Sequence, residues 1–71
     1  MEENKRLFTE KLGELLRNYA PRSEVKDMEY YIDDYGEEKV RICFQNDDYK
    51  SVNVNMDSCL AIMHDIYKAL I

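Results

Sequence analysis

The sequence predicts an α+β domain in two layers, αβββα, with a three-stranded antiparallel meander and both helices on one face. Three observations predict it. Apolar residues recur at helical spacing at both ends of the chain, the middle alternates apolar and polar residues, and two clusters of turn-forming residues interrupt that middle stretch. The 71 residues read as a single domain, 1–71, without linker, repeat or low-complexity segment. A chain of this length buries only about 60% of its unfolded surface, so its core is small.

The first helix runs from about Glu3 to Tyr19. Phe8, Leu12, Leu15, Leu16 and Tyr19 form one narrow stripe, with Glu10, Lys11, Glu14 and Arg17 opposite, so this helix packs on one surface only. Gly13 inside it reads as a mild defect, costing up to about 1 kcal/mol against alanine. Pro21 ends the helix, because the residue before a proline is driven out of helical geometry.

From Glu24 the period becomes two. Lys26, Met28, Tyr30 and Ile32 face one way, and Asp27, Glu29, Tyr31 and Asp33 the other. Asp33 to Glu38 is a turn in which Gly36 takes positive φ without steric penalty. The second strand points Val40, Ile42 and Phe44 inward and Arg41 and Cys43 outward. Asn46, Asp47 and Asp48 form the second turn. The third strand then points Val52, Val54 and Met56 inward.

Neighbours across strands must share a face. This gives the rows Tyr30–Ile42–Val54, Ile32–Val40–Met56 and Met28–Phe44–Val52, with a solvated reverse face. The last helix spans Met56 to Ile71, capped by Asp57. Its apolar arc, widened by Leu60, Tyr67 and Ile71, covers half the wheel, more than the roughly 100° stripe of a surface helix. It is a lid over the sheet, with apolar surface left over. Met28, Met56 and Met63 read as core filler.

A formal net charge of −5, with 35% charged and 45% hydrophobic residues, describes a folded soluble domain and favours a basic partner. It disfavours nucleic acid and anionic membranes, which attract clustered Lys and Arg. No stretch is long enough to span a bilayer and no secretory signal pattern is present, so the expected compartment is the cytoplasm. Cys43 and Cys59 lie on opposite sides of the predicted sheet and read as reduced thiols. His64, the one histidine, lies on the polar side of the last helix. No nucleophile and base, zinc spacing or phosphate loop is assigned, so neither catalytic activity nor a metal or cofactor is expected.

The carboxylates gather at the turns. Asp33, Asp34, Glu37 and Glu38 stand at one tip of the meander and Asp47 and Asp48 at the other, with Tyr31, Tyr35 and Tyr49 beside them. A calcium loop would need oxygen ligands at spacings where Tyr35 and Ile42 stand. Solvated tips explain the pattern; so does a surface of acid and tyrosine presented to a basic cleft.

The element order resembles that of double-stranded-RNA-binding domains. Their lysine cluster at the start of the last helix is here Asp57-Ser58-Cys59-Leu60-Ala61-Ile62-Met63, so the likeness implies shared architecture and not RNA binding. Val52-Asn53-Val54, followed by Asp57-Ser58, Ala61-Ile62, Asp65-Ile66 and Ala69-Leu70, is similar to a pattern in small uncharacterised proteins of phages and mobile elements of Gram-positive bacteria. Acidic proteins of this size and strand order from such elements include type II-A anti-CRISPR inhibitors, which occupy a nuclease's basic cleft as nucleic-acid mimics. That resemblance implies a non-enzymatic inhibitor with the acidic turns and tyrosines as its contact surface and a basic protein, such as a nuclease, as partner. The alternative is a homo-oligomer that buries Leu60, Tyr67 and Ile71 between subunits.

Overall fold

The computed structural model describes residues 2–71, with helix α1 at Glu2–Tyr19, strands β1 at Val25–Ile32, β2 at Glu38–Phe44 and β3 at Tyr49–Asn53, and helix α2 at Cys59–Leu70. A single 3₁₀ turn, Pro21–Ser23, joins α1 to β1. The strands form one antiparallel sheet in the order β1-β2-β3, with both helices on the same face. The α+β class and the αβββα order are as the sequence predicts. Val25, Met28, Tyr30, Val40, Ile42, Val54, Ile62 and Ile66 form the core, with Phe8, Leu12, Leu16, Phe44 and Val52 packed around it.

The register differs from the expected rows. Met28 faces Ile42, and Tyr30 faces Val40. Val40 faces Val52, and Ile42 faces Lys50. The expected pairing is thus displaced by two residues between β1 and β2 and by four between β2 and β3. Tight turns cause this. The first closes through Gly36 N–H to the Asp33 carbonyl at 3.0 Å and Asp33 N–H to the Glu37 carbonyl at 2.9 Å; the second closes through Asp47 N–H to the Phe44 carbonyl at 3.0 Å. Both displacements are even, so side chains keep their faces.

Four expectations change with this register. Met56 is not an inward strand residue: it turns the chain from β3 toward α2 with φ of 63° and is 88% exposed. Val54, just past β3, still reaches the core. Ile32, at the end of β1, is also exposed. Lys26 is the extra residue of a bulge between Val25 and Asp27, so Val25 and Met28 both point inward and Lys26 does not. Of the three methionines expected in the core, Met28 alone is buried.

Helix α1 is rotated from its predicted stripe. Thr9 and Gly13 are its buried residues, flanked by Lys5, Phe8, Leu12 and Leu16, whereas Leu15 and Tyr19 are exposed. Gly13 is no defect. A Cβ built there would lie 2.8 Å from the Met28 backbone nitrogen, so the missing side chain is what allows α1 to lie directly on β1. Small residues mark the line of closest approach, and the larger apolar residues straddle it.

Helix α2 is capped by Ser58, whose Oγ accepts from Ala61 N–H at 3.2 Å, and not by Asp57. Lys50 Nζ donates to the Ala69 carbonyl at 2.9 Å at the opposite end, where a cation suits the helix dipole. Lys5, near the start of α1, and Met56, just before α2, both bond to Glu38. Both helices therefore begin at one end of the sheet and run in the same sense. Cys43 and Cys59 are both free and partly buried.

Candidate functional site

The end at which both helices begin is an acidic pole, assembled from segments far apart in sequence. Glu38 lies at its centre. Its carboxylate accepts from Lys5 Nζ at 2.7 Å, from the Tyr30 hydroxyl at 2.5 Å and from Met56 N–H at 2.8 Å. The Lys5 ammonium and the Tyr30 hydroxyl, with the Met56 N–H, hold its pKa down to about 2. Arg6 closes the same side by donating to the Tyr30 carbonyl at 3.1 Å. Glu38 is therefore a joint between α1, the sheet and the approach to α2, not a carboxylate displayed at a tip as its sequence position implies.

Asp33 is likewise occupied. Its Oδ1 accepts from Tyr35 N–H and Glu37 N–H, each at 2.9 Å, and Lys39 Nζ lies 3.6 Å from Oδ2. These donors, the Glu37 N–H foremost, lower its pKa. The effect is a rigid turn in which the Asp34 and Glu37 carboxylates engage no side chain among the described residues and Tyr35 is held outward, 90% exposed.

On the far side of Glu38, Asp57 faces Asp65. The neighbouring Asp65 carboxyl foremost, and then burial, push the Asp57 pKa up to about 6. Its Oδ2 is buried without a hydrogen-bond partner among the described residues. His64 Nδ1 is 4.0 Å from Asp65 Oδ1 and remains mostly in solvent.

Asp57 and Glu38 bias stability in opposite directions. Asp57 has a folded pKa raised above its ordinary 3.8, so its contribution is full below about pH 4 and is lost as pH rises through about 6. Glu38 has a folded pKa below its ordinary 4.5, so its contribution is full above about pH 4.5 and is lost as pH falls toward 2. Thermal unfolding across pH is therefore expected to show maximal stability at about pH 4 to 4.5. In Asp57→Asn the decline between about pH 4 and 6 should flatten, leaving the variant more stable than the parent at pH 7 by on the order of 1–2 kcal/mol. An unchanged profile would show that Asp57 is not the group responsible.

The remaining predicted contact residues do not join this pole. Asp47 and Asp48 lie at the opposite end of β2, roughly 20 Å away by the strand rise. Asp48 is tied to Asn46 through its N–H and its carboxylate, each at 3.1 Å, and Lys26 Nζ is 3.7 Å from Asp47. Tyr31 and Tyr49 lie on the uncovered face. There the Arg41 guanidinium stands 4.9 Å from one ring centroid and 5.8 Å from the other, and 3.3 Å from Glu29. They clamp an arginine and do not flank the carboxylates.

The alternative interface residues are in solvent: Leu60 is 71%, Tyr67 61% and Ile71 84% exposed. Beside them lies an apolar groove of about 240 Å³ between α1 and α2, lined by Leu12, Leu16, Met63, Ile66, Tyr67 and Leu70. Sequence reading missed Lys5, Asp65 and Lys50 as structural partners. The partners of Lys5 and Lys50 are distant in the chain, and Asp57, expected as a cap, is instead the neighbour of Asp65.

No family model, curated protein or solved structure matches this chain. Among the described residues no helix is long and apolar enough to cross a membrane.

Proposed function

We propose that this chain is a non-enzymatic binding protein, an inhibitor in kind, that docks its acidic pole on the basic cleft of a nucleic-acid-handling protein such as a nuclease. The observation that carries this reading is the placement of Asp34 and Glu37 on the rigid turn that presents Tyr35, with Glu38, Asp57 and Asp65 behind it at the same end of the fold. Carboxylates crowded enough to raise the pKa of one of them create a negative potential that a cationic surface relieves. A tyrosine on a turn already fixed by hydrogen bonds gives contact area at little entropic cost. The contact set is accordingly Asp34, Tyr35 and Glu37, with Asp33 and Glu38 as its supports.

The test begins with affinity capture from host cells and mass spectrometry, followed by binding measurements on the purified pair. Affinity should fall at least about tenfold between roughly 50 and 500 mM salt, and again when Asp34→Lys is combined with Glu37→Lys. Affinity indifferent to both salt and the paired substitution overturns electrostatic docking.

A further inference from the structure

We infer that the face formed by α1 and α2 is an isologous interface, and that its occupant is a second copy of this chain. The groove between the helices has no polar lining residue. Directly beside it, Leu60, Met63, Tyr67 and Ile71 follow one another at helical spacing as an exposed ridge along α2. Met63 and Tyr67 belong to both the groove wall and the ridge. A surface that carries a ridge and a matching groove on one face satisfies itself: a two-fold axis across the helices lays the ridge of each copy in the groove of the other, and the contact closes.

Area and charge favour the same occupant. Leu15, Tyr19, Leu60, Met63, Tyr67 and Ile71 are 45%, 81%, 71%, 41%, 61% and 84% exposed, an area of the same order as the roughly 800 Å² per subunit that a stable pair buries. Both helices start at the acidic pole, so a two-fold axis across them sets the poles of the two copies at opposite ends of the pair. The molecule is 31 Å in its longest dimension, well beyond the screening length of about 8 Å at physiological salt. The net charge of −5 therefore does not oppose association in this orientation. The pairing does not involve Asp34, Tyr35 or Glu37, and it stands apart from the binding reading above.

Sedimentation equilibrium from roughly 1 to 200 μM tests it. The expected result is a concentration-dependent rise from the monomer mass to twice that mass, with the dissociation constant raised at least about a hundredfold by Leu60→Glu combined with Tyr67→Glu. These side chains stand in solvent in the single chain, so circular dichroism of the variant should be unchanged. Ile71→Glu at the end of α2 gives a second, independent weakening. A parent protein monomeric throughout the range overturns the pairing and leaves the groove to a helix of a different protein. A dimer untouched by both variants places the interface elsewhere and overturns it as well.

Discussion

Gly13→Ala is expected to lower stability by about 1–2 kcal/mol, although the same change in an unobstructed helix raises it by up to about 1 kcal/mol. The sign is decided by what a new methyl group meets. The Met28 backbone nitrogen would lie at 2.8 Å, with the Asp27 carbonyl carbon and Met28 Cβ each at 3.3 Å. Two of these three atoms are backbone of β1, which is held by its pairing with β2. Relief requires α1 to lift from the strand, pulling Phe8, Leu12 and Leu16 from the core edge. Urea unfolding of the two proteins measures the difference. Gly13→Val should be worse still, by about 3 kcal/mol or more, since it adds volume and a β-branched side chain. A more stable Gly13→Ala would mean that α1 does not sit against β1 at this position.

Replacing Glu38 with alanine is expected to cost about 3 kcal/mol, a large share of the roughly 3–5 kcal/mol that a single small core supplies. The substitution removes the acceptor shared by Lys5 Nζ, the Tyr30 hydroxyl and the Met56 N–H. Tyr30 is wholly buried, where a lost hydrogen bond costs more than it does at the surface. Glu38→Gln keeps an oxygen acceptor but loses the charge that faces Lys5, and should cost about half as much. Acid titration separates the two contributions, because the fall in stability between pH 4.5 and 2 should shrink in both variants. Equal stability of the parent and the alanine variant at pH 7 would remove Glu38 as the joint of the fold.

The sequence exposes those parts of this structure that repeat. A period of two through Met28, Tyr30, Val40, Ile42, Val52 and Val54, and helical spacing through Ile62 and Ile66, are enough to give the class, the element order and the faces. Register is not a periodic property. It depended on turns closed by hydrogen bonds from Asp33 and at Phe44–Asp47, and an even displacement leaves the alternation pattern unchanged. The rotation of α1 was hidden for a different reason: hydrophobicity draws the eye to Leu15 and Tyr19, whereas Thr9 and Gly13 are buried because they are small. The candidate site was half legible. Acidic residues at the first turn were visible as composition, but the division into Asp34 and Glu37, which face outward, and Asp33 and Glu38, which hold the turn and the helix, depended on partners as far away as Lys5 and Met56.

The strands lie side by side in the order in which they are made, and α1 rests on the strand it leads into. The chain thus assembles largely from neighbours, a topology associated with rapid folding. The last twelve-residue helix is the exception, since it must come back over strands completed before it. Val40, Ile42 and Val54 are wholly buried in one cluster with Ile62 and Ile66, so the core is complete only once this helix has folded back over the sheet.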